Sequence, residues 1–251
     1  MRRGKASLPV AGRARQVAAG EPLGVGERPT SDPAHAGLSY PVAATLSRRD
    51  SGHGTLRIEP GAAFLRGFAR SEVPLLIAEI ARIAAAAPFR NMVTPGGFPM
   101  SVAMTNCGQF GWVTDRSGYR YLSTDLDGKP WPAMPTRFRN LAARAAAAAG
   151  FGGFAPDSCL INRYVAGARM SLHQDKDEAD FAAPIVSVSL GLPATFLWGG
   201  AKRNDRPRRL RLESGDVVAW GGPARLNFHG VEPVASGDEA CRYNLTFRKA
   251  K

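Results

Sequence analysis

Two histidines and an aspartate are the residues of this chain whose types and spacing could hold a metal ion. His173 and Asp175 are separated by one residue, so on a β-strand both side chains would project from the same face. His229, much later in the sequence, could add a third ligand from a distant strand. Two imidazoles and one carboxylate on one side of an octahedral Fe(II) ion would leave three coordination positions open. The alternative is a surface pair at a strand end, with an unrelated half-buried histidine elsewhere.

The segment Arg242–Arg248 is the second candidate for chemistry. As a strand it would have an apolar face and a polar face, the latter formed by Arg242, Asn244, Thr246 and Arg248. Guanidinium groups bind carboxylates in a fork geometry, so two arginines on one strand face favour an anionic partner. Beside a metal, this strand could hold a dicarboxylate co-substrate. The alternative is an edge strand with a solvated polar face.

The elements that would position these residues are short β-strands. After Pro156 the chain consists of short apolar segments separated by Gly, Pro and Asp turn signals. Such a series is typical of a closed double-sheet jelly roll. The predicted strands are Cys159–Tyr164, Met170–Asp175, Ile185–Leu190, Thr195–Trp198, Arg208–Leu212, Val217–Trp220, Leu226–His229 and Arg242–Arg248.

Two helices are predicted before these strands. The first would be capped by Ser71 and run to about Ala87, and the second would run from Thr136 to Ala149. The stretch between them, Asn91–Pro135, is rich in Gly, Pro and aromatic residues and is predicted to be loops. Because the helices come first and the strands later, the predicted class is α+β.

Composition divides the 251 residues into two parts. Residues 1–54 are rich in Gly, Pro, Ala and Arg and are predicted to be a disordered basic extension, which contains His35 and His53. Residues 55–251 are predicted to form one globular domain. The net charge is +12 and extends into that domain, so the chain is expected to be attracted to polyanions such as nucleic acid. The alternative is a basic surface that serves solubility.

The cysteines and the apolar segments limit where the protein could act. The three cysteines form no Cys-x-x-Cys pair, so neither a disulfide framework nor a structural zinc site is indicated. No apolar run approaches the roughly 18 residues that a membrane span needs. A cytoplasmic monomer without membrane association is expected.

The motifs of this chain, taken in order, resemble the AlkB family of 2-oxoglutarate dioxygenases. The resemblance covers about residues 55–251 and leaves residues 1–54 unexplained. It implies a double-stranded β-helix (jelly roll) with N-terminal helices and a nucleotide-recognition loop region. The segments that carry it are Asn91 to Gly97, Met104 to Gly108, Asn162-Arg163-Tyr164, His173 to Glu178, Pro184 to Gly191, His229-Gly230 and Arg242 to Arg248.

The resemblance also implies a role for each matching residue. His173, Asp175 and His229 would be catalytic and would ligate Fe(II). The co-substrate 2-oxoglutarate would be bound by Asn162, Tyr164, Arg242, Asn244 and Arg248, with O2 as the third reactant. The damaged base and its nucleic acid would be contacted by Trp112, Tyr119, Asp177, Arg203, Thr94 and Glu178.

For Trp112, the local sequence also supports a prediction that does not depend on the resemblance. Its glycine-flanked segment and the nearby Tyr119 and Tyr121 favour a lid that stacks on an extruded base. Packing in the core is the alternative.

The activity implied by the resemblance is direct-reversal repair of alkylated DNA. Oxidation of the N-methyl group of bases such as 1-methyladenine or 3-methylcytosine would be coupled to decarboxylation of 2-oxoglutarate, with release of formaldehyde and succinate. Single- or double-stranded DNA is the expected partner, with RNA as a further target. Two other hypotheses stay open, namely an oxygenase that acts on modified RNA, protein or lipid, and a non-catalytic nucleic-acid-binding module.

Overall fold

The computed structural model describes residues 54–251. The predicted disordered extension, residues 1–54, therefore lies outside the described residues except for Gly54, as do His35 and His53. Neither helix in the described part of the chain is long and apolar enough to cross a membrane.

Thirteen strands and two α-helices make up the described part of the chain. The helices are α1 (Val73–Ala86) and α2 (Thr136–Ala148). The strands are β1 (Thr55–Glu59), β2 (Ala62–Leu65), β3 (Ala103–Gly108), β4 (Gly111–Asp115), β5 (Gly118–Leu122), β6 (Ser158–Tyr164), β7 (Met170–His173), β8 (Ile185–Gly191), β9 (Ala194–Trp198), β10 (Arg208–Leu212), β11 (Val217–Trp220), β12 (His229–Val231) and β13 (Arg242–Arg248).

The strands form a large sheet, a small sheet and a separate hairpin. The large sheet has seven strands in the order β1-β2-β11-β8-β13-β6-β3, and the small one has four in the order β10-β9-β12-β7. Strands β4 and β5 pair only with each other. All of these pairings are antiparallel. The predicted α+β class and jelly-roll architecture are confirmed.

Two apolar cores lie on the two faces of the large sheet. On one face, side chains of α1 and α2 such as Leu76 and Phe138 pack against Leu245 and Phe247 of β13. On the other face, residues such as Trp198 and Trp220 belong to the core shared with the small sheet. The alternation predicted for β13 is confirmed, because its polar side chains point away from the helices. This arrangement directs them between the sheets.

The structure corrects several predicted boundaries. Helix α1 begins at Val73, because Pro74, with φ pre-set for a helix, lies in its first turn; Ser71 belongs to a preceding 3₁₀ turn and makes no cap. The stretch 91–135 contains β3, β4 and β5, so it is not only loops. Strands β1 and β2 also precede α1, so the predicted order of helices before strands was wrong.

Two strand corrections bear directly on the site. The predicted strand Met170–Asp175 ends at His173, and the predicted strand Leu226–His229 is replaced by one that begins at His229. Asp175 therefore lies beyond a strand end, where the two-residue alternation no longer determines the direction of its side chain.

Candidate metal centre and base-binding cavity

Neighbouring strands of the small sheet bring the two histidines together. His173 is the last residue of β7 and His229 the first of β12, and the two are register partners with ring centroids 4.4 Å apart. Nε2 of His173 lies 3.6 Å from Oδ1 of Asp175, and Nε2 of His229 lies 3.7 Å from Oδ2. The three residues predicted to form a triad thus converge, although Asp175 reaches it from a loop.

Each histidine is oriented through its other ring nitrogen. Nδ1 of His173 is 2.9 Å from the carbonyl oxygen of Ser171, and Nδ1 of His229 is 3.1 Å from that of Asn227. A carbonyl oxygen can only accept, so each Nδ1 carries a proton and donates it, and Nε2 of each ring is the nitrogen that faces Asp175. Metal-binding histidines are usually fixed in this way.

Arg248 keeps the carboxylate of Asp175 ionised. Burial by itself raises the pKa of Asp175, but the charge of Arg248, supported by the two histidines, outweighs it and holds the pKa well below its usual range. The pKa of His229 is lowered to about 4 by burial and by the nearby His173. At neutral pH the centre therefore offers an anionic oxygen and the unprotonated nitrogen of His229.

This donor set fits a ferrous ion. The ligand atoms of His173, Asp175 and His229 all lie within 4.8 Å of one another. Two imidazole nitrogens and one carboxylate oxygen are the ligands of the facial triad found in non-haem Fe(II) oxygenases.

A cavity of about 660 Å³ opens beside the triad. Its walls include Asn162 and Tyr164 of β6 and Asn244, Thr246 and Arg248 of β13. These side chains come from the large sheet, whereas the two histidines come from the small one. The cavity therefore lies between a metal-binding wall and a polar wall.

Arg242 is a buried cation without a counterion among the described residues. It is 1% exposed, and Nη2 donates to Oγ of Ser189 at 2.9 Å, while Nε and Nη1 have no partner. Burial lowers the pKa of Arg242 to about 10. Oδ1 of the buried Asn162 is also unpartnered. Unmade hydrogen bonds of this kind are costly, and the carboxylate of a dicarboxylic acid would satisfy the guanidinium.

Asn244 has partners within the protein. Its Oδ1 accepts from Thr246 Oγ1 at 2.8 Å and from Asn162 Nδ2 at 3.4 Å, and its Nδ2 donates to Ser187 Oγ at 2.7 Å. These bonds hold Asn162 in place at the cavity wall.

Two aromatic rings form a further part of the cavity wall. Trp112 of β4 stacks on Tyr119 of β5 with ring centroids 5.6 Å apart and planes 19° apart. Both backbone groups of Trp112 are bound by the side chain of Asn106, at 3.0 and 3.1 Å. The predicted lid is thus a strand hairpin.

The remaining predicted base contacts surround this pair. Trp112 Nε1 donates to Oδ2 of Asp177 at 2.8 Å, and Thr94 and Arg203 also line the cavity. Arg203 is held by the carbonyl oxygen of Leu172 at 2.9 Å. These side chains line the same cavity as the hairpin.

Glu178 does not line the cavity. Its carboxylate accepts from Tyr121 Oη at 2.6 Å and from Arg225 Nη2 at 3.0 Å, and Nε of Arg248 lies 3.3 Å away. Arg225 also donates to the carbonyl oxygen of Asp175 at 2.7 Å. Glu178 therefore faces a buried ion-pair network behind the metal centre rather than a base.

Sequence reasoning missed the partners of that network. Arg225 had no role assigned, and Tyr121 was noted only as a neighbour of Trp112. The one available signal was an arginine in the otherwise apolar segment Pro223-Ala224-Arg225-Leu226.

Comparison with known proteins places this geometry in a family. Residues 61–248 match the family model of the 2OG-Fe(II) oxygenase superfamily. The chain is 60% identical over 195 residues to the alpha-ketoglutarate-dependent dioxygenase AlkB of Escherichia coli, an alignment that covers 76% of this chain and 90% of that protein.

Two further comparisons concern proteins with ALKBH1 names. Over 109 residues the chain is 42% identical to the DNA N(6)-methyladenine demethylase ALKBH1C of Arabidopsis thaliana, covering 38% of this chain and 24% of that protein. The solved structure of OsALKBH1 superposes with a TM-score of 0.67 and 28% identity, over 78% of this chain and 100% of that one.

Proposed function

The chain belongs to the 2OG-Fe(II) oxygenase superfamily, and we propose that within it the protein removes alkyl groups oxidatively from damaged bases of DNA. The observation that carries the proposal is the composition of the cavity beside the triad. It joins an Fe(II)-type ligand set, the polar wall of β13, and the aromatic pair Trp112 and Tyr119 with Asp177 beside them.

His173, Asp175 and His229 would hold the iron, and Arg242 would pair with the carboxylate of 2-oxoglutarate that lies farther from the metal. Bound Fe(II), 2-oxoglutarate and O2 together supply an oxidant that hydroxylates the N-alkyl group, with succinate and CO2 as co-products. A hydroxymethyl group on a base nitrogen then breaks down to formaldehyde and the repaired base.

The aromatic side chains would bind the extruded base. A flat ring can stack on Trp112 while its far side faces His173, because both line the same cavity. Bases such as 1-methyladenine and 3-methylcytosine are cationic and pair poorly, so their extrusion costs less than that of an intact base. The carboxylate of Asp177 complements this charge and can accept from an exocyclic amine.

The basic charge of the chain would hold the nucleic-acid backbone. Arg203 and Thr94 line the cavity, where they can contact phosphates next to the extruded base. DNA, single- or double-stranded, is the proposed substrate, with RNA as a further one. Residues 55–251 would act as a monomeric catalytic domain in the cytoplasm, where cysteines stay reduced.

The test is turnover of a methylated oligonucleotide. Protein loaded anaerobically with Fe(II) would be mixed with a 1-methyladenine DNA oligonucleotide and O2, with and without 2-oxoglutarate, and formaldehyde and succinate measured. Equal amounts of both products, lost in His173→Ala, are expected. Succinate without formaldehyde would move the substrate to another class, and neither product in iron-loaded wild type would leave a binding role.

A further inference from the structure

The carboxylate of Glu59 reaches across to the surroundings of His229. Glu59 is the last residue of β1, at the edge of the large sheet. Its Oε1 accepts from the indole Nε1 of Trp198 at 2.8 Å and also from the side-chain Nδ2 of Asn227. One oxygen thus connects the edge of one sheet to a strand of the other and to the loop before β12.

Both partners of this carboxylate lie next to His229. The backbone carbonyl of Asn227 accepts from Nδ1 of His229, and the ring of Trp198 lies beside the imidazole, with centroids 6.5 Å apart and planes 27° apart. Asn227 lies outside the strand ladder, and the peptide that carries its carbonyl is held at one end by Phe228 N, which donates to the carbonyl oxygen of Gly200 at 2.9 Å. The side-chain bond of Asn227 to Glu59 adds a second restraint on the same residue.

A local irregularity of β1 directs Glu59 toward this contact. The register shifts between Arg57, which pairs with Ala63, and Glu59, which pairs with Ala62, so Ile58 is an extra residue. Bulges of this type change the direction of the following side chain. The turn after Glu59 is also bound to the segment that connects β11 to β12, since Gly221 N donates to the carbonyl oxygen of Gly61 at 2.8 Å.

The ion pair of Glu59 with Arg208 does not account for this arrangement. Arg208 Nη2 lies 3.6 Å from Oε2, and the arginine side chain is 53% exposed, so the attraction is weak. The shorter bonds are made by Oε1, to the two groups that contact His229.

We propose that Glu59 is a positioning residue for the metal ligand His229, acting through Asn227 and Trp198. The carboxylate holds the side chain of Asn227, whose carbonyl accepts from Nδ1 of His229, and the indole of Trp198, one of several rings packed around the imidazole. This inference rests on the proposed function, which assigns His229 to iron. Loss of a direct partner of a metal-bound histidine typically weakens metal binding roughly 10–100-fold, so loss of Glu59, one contact further away, should weaken it by roughly three- to tenfold.

The test measures the metal rather than turnover. Co(II) would be titrated into metal-free wild type, Glu59→Ala, Glu59→Gln and Glu213→Ala, and both the affinity and the visible absorption of bound Co(II) recorded. Glu213→Ala is the matched control. Glu213 pairs with Arg211, which lies on β10 as Arg208 does, and this contact does not involve Asn227. We expect weaker binding and an altered spectrum for Glu59→Ala, partial recovery for Glu59→Gln, and wild-type behaviour for the control.

A second variant separates positioning from folding. Asn227→Ala keeps the backbone carbonyl but removes its link to Glu59, so it should weaken Co(II) binding by a similar factor, and the double variant should be no weaker than either single one. Unchanged affinity and spectrum in Glu59→Ala or Asn227→Ala, with wild type binding Co(II) normally, would overturn the inference. Failure of wild type to bind Co(II) would instead overturn the metal assignment of the proposed function.

Discussion

Arg248 donates from both Nε and Nη2 to the same oxygen of Asp175, at 3.1 and 2.7 Å. The other carboxylate oxygen, Oδ1, is left to face His173. Both partners are nearly inaccessible to solvent, so the pair acts in a medium of low polarity. The direction of the Asp175 side chain is therefore determined by an arginine on β13 of the large sheet.

Replacing Arg248 with methionine should disrupt the centre even though no metal ligand changes. The substitution leaves Asp175 without its principal counterion, and breaking a buried ion pair in this way costs about 3–5 kcal/mol. Urea unfolding should show this loss, and Co(II) affinity should fall roughly 10–100-fold. Arg225→Met is the informative comparison, because Arg225 contacts Asp175 only through its carbonyl; a smaller affinity loss is expected there.

Replacing Arg242 with methionine should separate co-substrate binding from stability. Burial lowers the pKa of Arg242 to about 10, which means that the folded protein disfavours the charged form, so its removal should leave stability in the absence of 2-oxoglutarate equal or higher. Loss of the pairing with 2-oxoglutarate should cost about 2 kcal/mol or more, a rise of roughly 30-fold in its KM.

Succinate formation against 2-oxoglutarate concentration and urea unfolding would measure these two effects. Arg211→Met, on an exposed strand position, controls for removal of a positive charge. A large stability loss with an unchanged KM would show that Arg242 is a structural cation.

The metal-free protein should lose stability in mild acid because of His229. Its pKa falls from 6.5 to about 4 on folding, so between these values the unfolded chain binds a proton that the folded chain does not. Stability therefore falls as the pH is lowered through this range, by about 2 kcal/mol between about pH 7 and pH 5. Urea midpoints at the two pH values should show a smaller difference in His229→Gln; the same difference in both proteins would refute the assignment.

The bond between Trp112 and Asp177 should govern base selection. Under the proposed function, Asp177→Ala removes the carboxylate that would complement a cationic base, so the preference for methylated over unmodified oligonucleotides should fall roughly tenfold, since one charged hydrogen bond contributes about 1.5 kcal/mol or more. Trp112→Phe keeps an aromatic face but frees Asp177, so binding should be reduced less than in Trp112→Ala. Competition binding with paired oligonucleotides would measure this. Equal preference in wild type and Asp177→Ala would exclude Asp177 from recognition.

The hydroxyl of Tyr121, on β5 of the hairpin, should contribute to the stability of the fold through the buried ion pairs. Its hydroxyl donates to Glu178 at 2.6 Å, and a hydrogen bond to a charged group contributes about 1.5–3 kcal/mol. Tyr121→Phe should lower stability by an amount in this range, whereas Tyr119→Phe, at the exposed ring of the stack, should change it by less than about 0.5 kcal/mol. Chemical unfolding of both variants provides the comparison.

The residue types and their order were sufficient to predict the centre, but not the course of the backbone through it. His173, Asp175 and His229 converge as their spacing indicated, and the alternation of β13 was regular enough to separate its two faces. Asp175 and Glu178, however, lie in an irregular segment where no period relates sequence position to direction. Their long-range partners, Arg248 for Asp175 and both Arg225 and Tyr121 for Glu178, determine where these carboxylates point.

The errors in the amino-terminal half have a different cause. The Gly-, Pro- and aromatic-rich composition of 91–135 predicted loops. The strands β3, β4 and β5 in this stretch are short and separated by tight turns. At one position a glycine is needed so that the backbone can lie against an aromatic ring, because a Cβ at Gly111 would be 2.4 Å from the ring of Trp131. Such close contacts leave no periodic pattern in the sequence.

The hairpin of β4 and β5 pairs with neither of the two larger sheets in the described part of the chain. The three candidate metal ligands lie on other elements, so under the proposed function substitutions on the outer positions of the hairpin would change which bases are accepted and leave those ligands in place. A library of variants confined to Gly111–Leu122 is the natural starting point for directing this enzyme to new lesions.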